Sequence, residues 1–148
     1  MSSVRPRRAK NNLEYLIAFG SDPQDVTLTT SGLATAADFH RMKDELLGDT
    51  RFRAPMNILV DHTDLSAARL TDAEIRDVAN SVTRLSSQFG TSRVAIVAPR
   101  ALTFGLSRAA LSMADTPALD VKVFGVRDNA LRWLQRMPYL VDPPTVEQ

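Results

Sequence analysis

The 148-residue chain contains no cysteine, which excludes disulfides, thiolate metal sites and a cysteine nucleophile. No apolar run approaches the roughly 18 residues that span a bilayer, and no secretory hydrophobic segment follows the N-terminus. Both absences lead us to expect a cytoplasmic protein. Aromatic residues are scarce at 6%, and basic residues do not interleave with them, so a base-stacking nucleic-acid platform is not expected. His40 and His62 are the two histidines, too few for a zinc site without cysteine. A glycine-rich phosphate loop and a Gly-x-Ser-x-Gly elbow are also missing; Phe104-Gly105-Leu106-Ser107 only superficially looks like an elbow. No cofactor and no metal are expected.

The remaining composition is that of an ordinary folded domain, with 44% apolar and 24% charged residues. The net charge of +1 hides an asymmetry. Arg5, Arg7, Arg8 and Lys10 take four of the 18 basic residues, which leaves 14 against 17 acidic residues in the body. A basic nucleic-acid surface on the folded part is therefore not expected. The length suits one domain: a basic, flexible tail over 1–12, an α/β domain over 13–137 and an irregular Pro-rich tail over 138–148.

Leu13, Tyr15, Ile17 and Phe19 alternate, then Gly20 to Pro23 gives turn residues, and Val26 to Thr29 alternates again. This predicts a β-hairpin, with Gly32 breaking its second strand. Thr35 and Asp38 form a capping pair ahead of Phe39, Met42, Leu46 and Leu47, which predicts a first helix over 36–47 stopped by Gly48. The apolar run 56–60 reads as an interior strand. Thr71 and Glu74 make a full capping box, followed by one stripe through Ile75, Val78, Ala79, Val82, Leu85 and Phe89 and a stop at Gly90. A second interior strand covers 94–98, and Leu102, Leu106, Ala109, Ala110 and Met113 mark the buried stripe of a third helix. The last strand, 121–125, alternates and is expected to be less buried. Asp128 is placed to cap a final helix carrying Ala130, Leu131, Leu134 and Met137.

The order β-β-α-β-α-β-α-β-α predicts a five-stranded mixed sheet, with an antiparallel hairpin and then parallel strands joined by right-handed crossovers. Parallel strands share one C-terminal edge, where ligands of open α/β sheets usually lie. On this reading Asp61, His62, Asp64, Arg100 and Arg127 leave their strands on one rim, beside Thr71 at the start of the second helix.

Several segments carry a family resemblance: Ile58-Leu59-Val60-Asp61 leading to a long helix, Arg93 to Ala98, Phe104-Gly105-Leu106-Ser107-Arg108, and Val123 to Val126 running into Ala130 to Leu134. Over about 12–137 the chain resembles the SpoIIAA-like, or STAS-like, domains of anti-sigma-factor antagonists, and more closely a branch of small bacterial STAS-like proteins. The resemblance implies a regulatory domain that binds a partner. Antagonist domains carry a phosphorylated Ser in an Asp-Ser pair after the third strand; here the stretch from Asp61 to Asp72 has no such pair. Thr71 stands nearest as a phosphoacceptor, yet its capping role already accounts for it.

Each rim residue also has a structural explanation. His62 flanked by Asp61 and Asp64 is the one cluster suited to acid–base chemistry, although neighbours on an extended segment point to opposite sides. Arg100 ahead of a helix suits an anion, and equally an ion pair with Asp61, Asp64 or Asp128. The leading expectation is a non-enzymatic module that binds a protein partner or a small ligand at this rim, with self-association open. The alternative comes from CRAL-TRIO-type domains of the wider fold group: an apolar ligand, lipid-like, in a pocket lined by Phe104 and Leu111 with Phe124 or Trp133. A hydrolase or transferase using His62 stands third.

Overall fold

The backbone twists into a sheet whose strands follow one another in space as in sequence, β1-β2-β3-β4-β5, in a computed structural model that describes residues 13–135. The expected tails, 1–12 and 138–148, and Met137 of the last helix lie outside the described residues. The elements are β1 (Leu13–Phe19), β2 (Val26–Leu33), α1 (Ala36–Gly48), β3 (Asn57–Ser66), α2 (Asp72–Phe89), β4 (Arg93–Val97), α3 (Ala101–Met113), β5 (Asp120–Phe124) and α4 (Arg127–Gln135). β1 and β2 are antiparallel, and every later neighbour is parallel, so the expected mixed sheet and four helices are present.

Local chemistry explains most boundaries. Ser21, with φ of 74°, and Gly20, with φ of 105°, turn the hairpin, and the Gly20 amide donates to the Asp25 carbonyl at 2.7 Å. Thr35 caps α1 by accepting from the Asp38 amide, while its hydroxyl donates to the buried Asp38 carboxylate at 2.7 Å. Thr71 and Glu74 form both halves of their capping box, and Glu74 also accepts from the Ala36 amide at 3.2 Å, which joins the starts of α1 and α2.

Alternation along the strands gives the sheet two covered faces. One carries Val26, Leu28, Ile58 and Val60 beneath Met42 and Leu46 of α1 and Phe89 of α2. The other carries Leu59, Ala95 and Val97 beneath Ala130 and Leu134 of α4. Burying apolar side chains on both faces explains the continuous apolar runs Ile58-Leu59-Val60 in β3 and Val94 to Val97 in β4. Arg93 is held on the α4 side, its guanidinium 4.1 Å from the centre of the Trp133 ring.

Four local expectations are corrected. β2 does not break at Gly32: this residue, with φ of 85°, lies within the strand and pairs with Leu13 on one side and Leu65 on the other. β3 does not end at Val60 but continues to Ser66, so Asp61, His62 and Asp64 lie inside a strand rather than in its exit loop. Its register shifts between Thr29 opposite Asp61 and Ser31 opposite Asp64, so His62 and Thr63 together face Thr30. That bulge reverses the alternation and turns Asp64 outward and Leu65 inward, breaking the period that would have marked a strand. α3 is rotated from the expected stripe, with Leu102 54% and Met113 45% exposed and Thr103 buried, because its first turn is fastened to β3 through Thr103 Oγ1 donating to the Leu65 carbonyl at 3.4 Å. Asp128 lies in the first turn of α4 rather than capping it, and the Val126 carbonyl accepts from the Asn129 and Ala130 amides.

Candidate functional site

Of the expected rim residues, Asp61 and Arg127 bond one another, and the rest do not converge on them. Arg127 Nη1 donates to Asp61 Oδ2 at 2.7 Å, and Asp61 Oδ1 accepts from the Thr63 amide at 2.9 Å. Arg100 reaches back to the Leu65 carbonyl at 3.3 Å. Asp64 and Thr71 are exposed, and the Thr71 hydroxyl accepts from the Glu74 amide at 3.1 Å. The bulged strand thus joins Asp61 to Arg127 but separates both from His62, whose ring enters the opposite face of the sheet.

That face opens onto a cavity of about 160 Å³ between the sheet and the helices. α2 packs beside α1 and α3 and seats Phe89 on the apolar face of the strands, so it forms a roof over the sheet. Ile58, Val60, Val94, Ile96 and Val121 make the floor. Ile75, Val78, Val82 and Phe89 of α2 close it from above, and Phe39 and Met42 of α1 form one wall. The other wall, on α3, presents Thr103, Ser107 and Ala110 beside Leu106 and Leu111. These three short side chains leave the volume that longer ones would fill.

Besides the Thr103 and Ser107 hydroxyls, two titratable groups interrupt the apolar lining. Lys43 on α1 is held down to about 8 by burial, with the Arg84 guanidinium adding repulsion. His62 is 6% exposed, and burial pushes its pKa down to about 4 against the pull of the Asp61 charge, so the ring is neutral at neutral pH. Its Nδ1 lies 2.7 Å from Thr30 Oγ1, and Phe39 packs edge-on with ring centres 5.8 Å apart. The Thr30 hydroxyl also contacts the Asp61 carbonyl at 3.1 Å. A carbonyl only accepts, so the single hydroxyl proton goes there, and Thr30 Oγ1 accepts from Nδ1–H. This assignment satisfies both contacts and leaves Nε2 without a proton.

Of the aromatic and aliphatic residues expected to line an apolar pocket, only Leu111 does so. Phe124 and Trp133 pack together on the α4 face with ring centres 5.6 Å apart, and Phe104 is not part of the lining. The signals that mark the actual cavity are the α2 stripe and the short side chains at 103, 107 and 110, spaced one helical turn apart.

A family model described as SpoIIAA-like matches residues 26–135. Among solved structures, the chain is similar to an uncharacterized protein from the DUF3478 family with a SpoIIAA-like fold, from Shewanella loihica PV-4, with a TM-score of 0.53 and 24% identity. The likeness covers 83% of this chain and 94% of that one, and speaks to the fold. No curated protein matches. Among the described residues, no helix is long and apolar enough to cross a membrane.

Proposed function

The chain belongs to the SpoIIAA-like family, and on that premise we propose that it is a non-enzymatic, STAS-like binding module whose ligand is a small apolar molecule held between the sheet and α2. The observation that carries this reading is the cavity of about 160 Å³ with its almost wholly apolar lining. Engineered apolar cavities of about 150 Å³ stay dry and take up molecules of benzene size. The volume therefore favours a single ring or a short chain over a whole lipid. Catalysis draws no support from the geometry: the Nδ1 partner of His62 is Thr30, and the Asp61 carboxylate is held by Arg127 and Thr63.

Thermal unfolding in the presence of toluene tests the reading. A ligand that binds only the folded state at 100 times its dissociation constant adds about 2.7 kcal/mol, which raises the midpoint by several degrees. The shift should vanish in Ala110→Leu, which fills the space. Toluene leaving the wild-type midpoint unchanged at saturation in water would remove the cavity from consideration.

A second reading, a protein partner at the strand rim, is favoured by Leu102 and Val126. Each is 54% exposed, beyond the ends of the neighbouring strands β4 and β5 and close in sequence to Arg100 and Arg127. Exposed aliphatic residues beside charged ones are the composition of a docking surface. Light scattering first tests whether the partner is a second copy of the chain. Loss of a captured partner on Leu102→Glu with Val126→Glu, at unchanged thermal stability, supports the rim.

A further inference from the structure

We propose that the cavity selects ligands carrying a hydrogen-bond donor, a neutral hydroxyl on an apolar body, and that Nε2 of His62 is the atom that reads it. The proposal rests on the cavity being a ligand site and adds what the ligand must present.

His62 and Thr30 are both more than nine-tenths buried. The Thr30 hydroxyl donates to the Asp61 carbonyl and accepts from Nδ1–H, so the tautomer is set from β2 through a 2.7 Å contact. Nε2 then carries a lone pair and no proton, on the ring edge farthest from the strand. Among the described residues it has no hydrogen-bond partner, while the ring itself lines the cavity. Nε2 is not wholly sealed off, so a ligand hydroxyl that reaches it would supply the partner it lacks.

The charge state narrows the chemistry further. With its pKa near 4 the ring stays neutral at pH 7, so it offers a carboxylate no positive charge and no Nε2–H. A hydroxyl donor matches, whereas an ether oxygen of the same shape does not. The almost wholly apolar lining strengthens a hydrogen bond to this acceptor.

The test compares toluene, p-cresol and 4-methylanisole by isothermal titration at pH 7 on the full chain, in wild type, His62→Phe and Ser107→Ala. The expected result is that His62→Phe weakens p-cresol by about tenfold or more and changes toluene by no more than about threefold, since one hydrogen bond is worth about a factor of ten. 4-Methylanisole should not gain from His62. Ser107→Ala controls for the lining hydroxyl that, unlike that of Thr103, is not donated to the Leu65 carbonyl, and should leave the p-cresol preference intact.

An unchanged p-cresol preference in His62→Phe, or its loss in Ser107→Ala alone, overturns the assignment to Nε2 while toluene binding leaves the cavity itself standing. Failure of all three probes overturns the cavity reading and this one with it. Should His62→Phe not fold, ¹⁵N imidazole spectra of the wild type decide. A protonated Nδ1 with a pyridine-like Nε2 that shifts on adding p-cresol supports the proposal; a proton on Nε2 overturns it.

Discussion

His62 Nδ1 on β3 lies 2.7 Å from Thr30 Oγ1 on β2, at the one place where β3 bulges against its neighbour. The bond positions a titratable ring in an apolar interior, where burial keeps it in its neutral form. It thereby couples folding to pH, and the sign of that coupling follows from the ring's depressed pKa.

The unfolded chain takes up a proton at His62 near 6.5, while the folded chain refuses it until about 4. Stability is therefore complete above 6.5 and is lost as pH falls from there to 4, by up to about 3 kcal/mol. Urea midpoints at pH 4.5 and 7 check this. The wild type should lose stability over that interval, and His62→Phe should lose distinctly less. Parallel slopes in the two proteins would mean that the ring takes up its proton without unfolding.

A second prediction concerns the ion pair at the rim. Arg127 is 46% exposed in its side chain, so solvent screens its bond to Asp61. Arg127→Ala should cost less than about 1 kcal/mol. Asp61→Ala should cost more, because the Thr63 amide also loses its acceptor. Chemical denaturation of both variants checks the order, and equal losses would show that the Thr63 contact contributes nothing.

The parts of the fold legible in the sequence are those decided by neighbours along the chain. Thr35 with Asp38 and Thr71 with Glu74 mark two helix starts because capping bonds span three residues. The hairpin and the parallel order follow from alternation and from strand–helix succession. The continuation of β3 past Val60 was not legible, since the bulge at His62 and Thr63 inverts the period just where Asp61 and Asp64 look like an exit loop. The cavity was hidden for a different reason. It lies where α1, α2 and α3 meet over the strands, a relation among three helices that no single stripe encodes. The rim ion pair was legible only in kind: Asp61 takes Arg127, 66 residues away, while Arg100, the expected partner, donates to the Leu65 carbonyl.

The two capping threonines should differ from the buried carboxylate between them. Thr71 is exposed, and Thr71→Ala should cost about 1 kcal/mol, the usual loss for a cap. Asp38 is buried and accepts from the Leu13 amide at 3.1 Å, from Thr35 Oγ1 and from Arg41 Nη1 at 2.6 Å. Asp38→Ala strands a buried amide of β1 as well as the cap, so about 2 to 3 kcal/mol is expected. Paired denaturation curves give the comparison. A smaller loss for Asp38→Ala than for Thr71→Ala would show that the tie from α1 to β1 is weak.

Filling the cavity should move stability and binding in opposite directions. Ala110 lines the α3 wall opposite the roof, and Ala110→Leu adds three carbon atoms to the empty volume. Burial at about 0.8 kcal/mol per methylene, less up to about 1 kcal/mol of rotamer entropy, predicts a net gain near 1 kcal/mol. Toluene affinity should fall at the same time by more than about tenfold, since the added side chain occupies the same space. A helix wall that is already well packed would respond otherwise: the larger side chain would destabilise by about 1 to 3 kcal/mol through forced rotamers. Thermal denaturation of the unliganded variant separates the two cases by sign. A raised midpoint with lost toluene binding identifies the space between the sheet and α2 as both unfilled and accessible to ligand.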